Sequence, residues 1–296
     1  MKDGPDFLCV GAQKAGTGWL YEQLRNHADF WMPPVKELHY FDRPRAPRPR
    51  PSLRELLFSP KQMRKWRLAH RRRRDLRRNA RDPRDRVFLE TMEPLYERPE
   101  TDFDGYARLF APKDPLLSGD ITPAYCTLHE EIIERIAARF PELRVIFIAR
   151  DPVERVWSQL SMRVRHKTIA PFDPNNVDAV RAQLLRTEVL LRSYPTHITG
   201  RWRRHIAAER FRVFFFDDLT ADAAKLRAGI ISFLGGDPEK PSGAIAPGQN
   251  SKAGKPKLSW SADVAAMLAG FFVEELRACA AELGGAAAQW PGKYGI

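Results

Sequence analysis

Cysteine is scarce in this chain. Its 296 residues hold three, Cys9, Cys126 and Cys279, odd in number and widely spaced. That excludes a disulfide framework and the paired spacing of a zinc site. Buried free thiols in a reducing cytoplasm are expected instead. Long apolar runs are also missing. No run of about 18 uncharged apolar residues occurs, so no transmembrane helix is predicted. The opening "MKDGPDFLCVGAQK" lacks the apolar region and small-residue cleavage site of a secretory leader, which again points to the cytoplasm. What is present suits a folded enzyme-sized domain: hydrophobic residues make up 43%, enough for a substantial core.

Net charge is +12, but it is concentrated. Residues 43–86 carry 18 Lys+Arg against 4 Asp+Glu, leaving −2 for the remainder. The basic character therefore belongs to one segment and not to the fold.

A further absence lies in the glycine loop "CVGAQKAGTGWLY", residues 9–21. An apolar strand, "DFLCVG", runs into a loop and then a helix with Trp19, Leu20 and Leu24 at helical spacing. Such a junction presents free backbone N–H groups and a positive dipole end, which is an anion site. Gly16 and Gly18 let the backbone approach the anion, and Lys14 adds a charge. In the nucleotide-triphosphatase loop the lysine follows the glycines and a Ser or Thr ligates magnesium. Here Lys14 comes first and no Lys-Ser or Lys-Thr pair follows. The loop suits a phosphate that arrives without a metal, and no metal site is predicted.

Along the rest of the chain, "VKELHYFD" reads as a short extended segment and "RPRAPRPRP" as proline-rich and extended. Ser59 and Pro60 suit the start of a basic helix. "DGYARLFA" suggests a short helix and "LLSGDITPAYC" a strand edge entering a loop. A helix near 128–139 leads to the strand "RVIFIA", and a second helix starts after Asp151-Pro152. "VDAVRAQLLRTEVLLRSY" and "THITGRWRRHIAAE" read as helices and "FRVFFF" as another buried strand. "ADAAKLRAGIISFLGG" is a helix closed by Gly235-Gly236, "PGQNSKAGKPKLS" a loop, and "SADVAAMLAGFFVEELRACAAEL" one amphipathic final helix. Alternating strands and helices predict an α/β fold: one domain over residues 1–296, a parallel sheet flanked by helices, and a basic insertion at about 43–86.

These motifs resemble those of sulfotransferases that use 3′-phosphoadenosine 5′-phosphosulfate (PAPS). "QKAGTGWL" is similar to their 5′-phosphosulfate loop. "VIFIARDPVERVWSQL" is similar to their 3′-phosphate segment, and "FFFDDLTADAAKLRAGIISFLGG" to their acidic-Leu and FLG stretch. The resemblance covers roughly residues 5–42 and 100–285. It implies a single-domain sulfotransferase version of the nucleotide-kinase fold. It also implies a reaction that moves a sulfuryl group from PAPS to a hydroxyl, with adenosine 3′,5′-bisphosphate as product and no metal. Lys14 would contact the 5′-phosphate and the bridging oxygen. The amides of Ala15, Gly16, Thr17, Gly18 and Trp19 would hold that phosphate, with Trp19 on the adenine or packed in the core. Arg150 and Ser158 would take the 3′-phosphate. Lys252, Gly254 and Lys255 sit where relatives place a loop over that phosphate, or form a plain surface loop. Tyr194, eight residues before Trp202, matches an adenine-side tyrosine or packs in the core.

"KELHYFD" resembles the segment that carries the glutamate base of carbohydrate and heparan-sulfate-type sulfotransferases, which maps to Glu37. His39 is the competing base, since other relatives use histidine; strand alternation would put both on one face. "GDITPAY" resembles their G-E-K-T-P-x-Y, but Ile121 replaces the lysine and Asp120 the glutamate, which weakens the case for a heparan-like acceptor. Gly18 replaces a hydroxyl residue of many relatives. The acceptor is expected to be a carbohydrate or another alcohol. The basic segment is either a solvated helix, a lure for an acidic glycan or glycolipid, or a peripheral membrane contact, with nucleic acid the weakest reading. The rival functions are a metal-dependent nucleotide kinase of related topology and a basic nucleic-acid-binding protein.

Overall fold

The computed structural model describes residues 3–42, 82–243, 245–249 and 258–296. The proline-rich stretch, the basic helix expected from Ser59 and Pro60, most of the 43–86 insertion, and Lys252, Gly254 and Lys255 lie outside the described residues.

Four short runs of β-branched and aromatic residues form the sheet: β1 (Phe7–Gly11), β2 (Gly119–Ile121), β3 (Arg144–Ala149) and β4 (Phe211–Phe215). Their order is β2-β1-β3-β4 and every pairing is parallel. Phe7 sits opposite Gly119 on one side and Arg144 on the other, and Ala149 sits opposite Phe215. β1 and β3 are buried on both faces, as a helix-covered parallel sheet requires. β4 is an edge: Phe211 and Phe215 are buried, while Arg212 is exposed and Val213 and Phe214 are half-buried. The fully buried strand expected of "FRVFFF" is corrected to that extent.

Twelve helices among the described residues cover this sheet and its ends. They are α1 (Thr17–Arg25), α2 (Pro83–Glu97), α3 (Phe103–Arg108), α4 (Glu130–Arg139), α5 (Pro152–Arg165) and α6 (Val177–Leu184). Then come α7 (Thr187–Leu190), α8 (Pro195–Arg203), α9 (Phe216–Ala221), α10 (Ala223–Leu234), α11 (Ala262–Phe271) and α12 (Val273–Leu283). α10 closes at Gly235 with φ 91°, a left-handed cap that favours glycine. The core joins the strands to Leu20, Leu24, Val156, Leu160, Ile230 and Ile231, with Trp202 and Trp290 fully buried. The three cysteines are free and buried. Burial pushes the Cys9 thiol up to about 12 and that of Cys126 to about 11.

Two helical expectations need correction, and one helix had none. The single final helix is two, broken at Phe272, whose backbone leaves the helical region so that its ring packs against Tyr194 at 5.7 Å. The helix expected over "VDAVRAQLLRTEVLLRSY" is also two, because Arg186 turns extended before α7. α2 is the helix without an expectation, and it runs through Pro94, a residue that usually breaks a helix. Asp82 caps it through the Arg84 N–H, Pro83 opens it, and the buried Asp85 carboxylate accepts the Trp31 indole N–H at 3.1 Å. Residues 83–86, placed in the basic insertion by charge alone, thus open a helix that is anchored through Asp85.

Candidate active site

The order β2-β1-β3-β4 reverses direction between β1 and β3, and the loops leaving their carboxyl ends diverge there. In open α/β sheets that is where ligands bind. A cavity of about 690 Å³ occupies this place, lined by Lys14, Gly16–Trp19 of the first loop and by Arg150 and Ser158 of the second.

The first loop is held open by its backbone. Lys14 has φ 75° and Gly16 φ 84°. The positive φ favours glycine at position 16, and a Cβ there would also press on the Leu219 side chain at 2.8 Å. The Ala15 amide bonds the Ala12 carbonyl at 3.1 Å, so it serves the turn. The first amides of α1, at Thr17, Gly18 and Trp19, have no partner within the helix and line the cavity. Trp19 is largely buried and its indole N–H donates to the Pro247 carbonyl at 2.6 Å. Gln23 donates to the Ala246 carbonyl, and Gly248 reaches the cavity wall beside them.

The second loop begins where β3 ends. Arg150 Nη1 donates to the Lys14 carbonyl at 2.7 Å, tying the two loops together, and Nη2 pairs with Glu154 at 3.1 Å. The guanidinium stacks on the Phe216 ring at 4.2 Å. Its Nε is buried without a hydrogen-bond partner among the described residues. Asp151 caps α5 by accepting from the Val153 and Glu154 amides, and burial raises its carboxyl to about 6. From that cap, Ser158, Ser161, Met162 and Arg165 descend one face of α5 into the cavity. Arg155 faces the other way: fully buried, it holds Gln159, the Val189 carbonyl and Ser193.

The segment carrying Glu37 is not extended. Glu37 has φ 62° and His39 φ 53°, so strand alternation does not operate and the segment is irregular. The two side chains meet all the same, with His39 Nε2 3.5 Å from Glu37 Oε2. Lys36 pairs with Glu37 Oε1 and His39 Nδ1 with Asp42 at 2.7 Å. Burial pushes the Glu37 carboxyl up, but His39 and Lys36 together outweigh it and hold the group at about 2. Glu37 and Lys36 line the cavity; His39 is not among the lining residues. Beneath the segment, buried Asp120 accepts hydroxyls from Tyr106, Thr122 and Tyr125. Tyr125 in turn accepts the Tyr40 amide at 3.0 Å, and Thr122 the His39 amide at 3.5 Å. Asp120 is thereby the floor on which the Glu37 segment rests.

Tyr194 lies outside this cavity. It lines a second one with Thr196, His197, Glu274 and Glu275, stacked on His197 and edge-on to Phe272. Phe216 and Leu219, at the start of α9, face the main cavity instead. Lys36 and Arg165 escaped the sequence reading. Lys36 adjoins Glu37 in a segment read for its base alone, and Arg165 lies seven residues after Ser158, two helical turns down one face.

The comparisons agree with this architecture. The model of the sulfotransferase family matches residues 5–239. A crystal structure of a sulfotransferase from Alicyclobacillus acidocaldarius superposes with TM-score 0.60 at 18% identity, covering 97% of this chain and 98% of that one. The sulfotransferase domain of the Synechococcus PCC 7002 olefin synthase gives TM-score 0.52 at 19% identity, over 86% and 82% of the two chains. The sulfotransferase domain from the curacin biosynthetic pathway gives 0.50 at 16%, over 83% and 82%. No curated protein matches in sequence. On the family match over most of its length, and the four-stranded parallel fold it shares with these neighbours, this chain belongs to the sulfotransferase family.

Proposed function

We propose that this sulfotransferase takes its sulfuryl group from PAPS and delivers it to the hydroxyl of a carbohydrate or another alcohol. One observation carries the reading. Lys14 and Arg150, 136 residues apart, come from two strand-to-helix junctions, bond to each other through the Lys14 carbonyl, and line one cavity. That cavity, at about 690 Å³, lies within the roughly 300–1,000 Å³ usual for small-molecule sites. Its four cationic side chains, Lys14, Lys36, Arg150 and Arg165, suit a ligand with phosphate at two ends. Lys14 and the first amides of α1 would hold the 5′-phosphosulfate. Arg150 and Ser158, with Arg165 below them, would hold the 3′-phosphate. Trp19, Phe216 and Leu219 offer the apolar wall for adenine.

PAPS supplies an activated sulfuryl group on a good leaving phosphate. The acceptor oxygen bonds to sulfur as the sulfur–oxygen bond to that phosphate breaks, and the hydroxyl proton passes to the Glu37 carboxylate. Lys14 neutralises the charge that grows on the leaving oxygen. Glu37 is ionised at neutral pH and so is in the form a base needs. Both its oxygens are engaged, by Lys36 and by His39, so the acceptor hydroxyl takes the place of Lys36 at Oε1. Family membership answers the kinase and nucleic-acid alternatives. An acidic glycan, a glycolipid or a membrane surface stays a proposal for the basic segment.

The test is transfer of labelled sulfate from PAPS across a panel of sugars, aliphatic alcohols and phenols. Turnover of sugars or aliphatic alcohols, lost in Glu37→Gln, is expected. Turnover confined to phenols, or unchanged in Glu37→Gln, would overturn the acceptor class or the base.

A further inference from the structure

The cation at the end of β3 does not act alone. Glu154, in the first turn of α5, holds Arg150 Nη2 through Oε2 at 3.1 Å. A carboxylate in that position competes with any phosphate for the same guanidinium. Glu154 is itself shared. Its Oε1 accepts from Lys293 Nζ at 3.4 Å, and Lys293 also bonds Asp217 Oδ1 at 3.0 Å and lies 3.8 Å from Asp151 Oδ2. The turn that carries Lys293, Pro291–Tyr294, is fixed from both sides. Trp290, fully buried, packs edge-on against Phe215 of β4 and donates its indole N–H to Asp217. Tyr294 donates its hydroxyl to Asp151 Oδ2 at 2.8 Å. None of residues 290–294 lies within the 5–239 stretch that the family model matches.

The charges form an ordered row: Arg150, Glu154, Lys293, Asp217. We propose that Lys293 is a positioning residue for nucleotide binding. By drawing on Glu154, it loosens that carboxylate's hold on Arg150 and leaves the guanidinium to the 3′-phosphate. Tyr294 and Trp290 keep Lys293 in reach. This inference rests on the PAPS reading, because it needs Arg150 to be a phosphate ligand.

A plain loss of positive charge would also weaken anion binding, so the test must separate the two. Lys293 is about one-third exposed and Glu154 similarly so, and neither substitution opens the core. Calorimetric titration with adenosine 3′,5′-bisphosphate would be run on the unmodified chain, Lys293→Met, Lys293→Arg, Glu154→Gln and the double variant Lys293→Met/Glu154→Gln. Lys293→Met is expected to weaken binding about fivefold, the upper end for a partly exposed ion pair, and Lys293→Arg to restore it. Glu154→Gln should tighten binding, and in that background Lys293→Met should have little further effect. Equal losses from Lys293→Met in both backgrounds would overturn the proposal in favour of a simple field effect; so would no loss in either. If the unmodified chain itself fails to bind the bisphosphate, the PAPS reading falls first and this inference with it.

Discussion

Lys14 and Glu37 are the residues whose chemistry is most exposed to test. Lys14→Ala should lower kcat about a hundredfold or more, the size expected when a group that stabilises transition-state charge is removed. Glu37→Gln should lower kcat by about 10²–10⁴ while the bisphosphate Kd stays within twofold or so, since a base acts on the acceptor and not on the nucleotide. The pH dependence follows from the environment of Glu37. Lys36 and His39 hold its carboxyl at about 2, so the base stays ionised and turnover should not fall with acid above about pH 4 on its account. Lys36→Gln removes one of those influences on the free enzyme, so the acid limb of kcat/KM should move up toward the ordinary carboxylate range near 4.3. An acid limb near 6.5 in the unmodified enzyme would point to a histidine base and to His39.

At the scale of the element, two features decide whether the site keeps its shape. The segment with Glu37 lies on the hydroxyl network around Asp120. Tyr125→Phe takes one hydrogen bond from a buried carboxylate and leaves the Tyr40 amide without its acceptor. A loss of about 1–3 kcal/mol in urea unfolding is expected, together with a fall in kcat. The second feature is the cap of α5. Burial raises Asp151 from 3.8 to about 6. Because its folded value is the higher one, its contribution is most favourable below about pH 4 and is lost as pH rises through 6. Asp151→Asn keeps a capping oxygen and removes that titration, so the stability of the variant relative to the unmodified chain should increase between pH 4 and 7. A pH-independent difference would contradict the assignment.

These elements also show what the sequence could say. The strand–glycine–helix junction at 9–21 and the Asp151-Pro152 helix start were legible, because glycine, proline and capping residues act locally. Lys14, Glu37, Arg150 and Ser158 line one cavity, and the motifs that singled them out carry local geometry with them. The positive φ at Glu37 and His39 was hidden, because the Asp120 network that fixes it comes from residues some 80 positions later. Tyr194 was left between an adenine-side role and core packing, since spacing from Trp202 says nothing about which way the start of α8 turns it; it packs on Phe272 and His197. α2, which runs through Pro94, had no expectation, and Lys293 had no signal at all, since it joins the row of charges only through tertiary contact with α5 and α9.

For the whole molecule, the charge distribution separates two functions. Outside residues 43–86 the chain carries −2, yet Lys14, Lys36, Arg150 and Arg165 all line one cavity. If the basic segment gathers an acidic acceptor, raising the salt concentration should raise KM for that acceptor more than KM for PAPS. A salt-insensitive acceptor KM would contradict that role. Ligand binding to the shared cavity should also stabilise the fold as a unit. Bisphosphate at a hundred times its Kd should add about 2.7 kcal/mol to unfolding free energy.

The central claim is that one nucleotide is gripped at both ends by the two junctions. It is tested most directly by calorimetric titration with adenosine 3′,5′-bisphosphate, AMP and ATP-magnesium, on the unmodified chain and on Lys14→Ala and Arg150→Ala. The bisphosphate should bind tightest. Lys14→Ala should weaken it and AMP alike, and Arg150→Ala should abolish its advantage over AMP. Equal affinity for the bisphosphate and AMP in the unmodified chain, or a preference for ATP-magnesium, would contradict it.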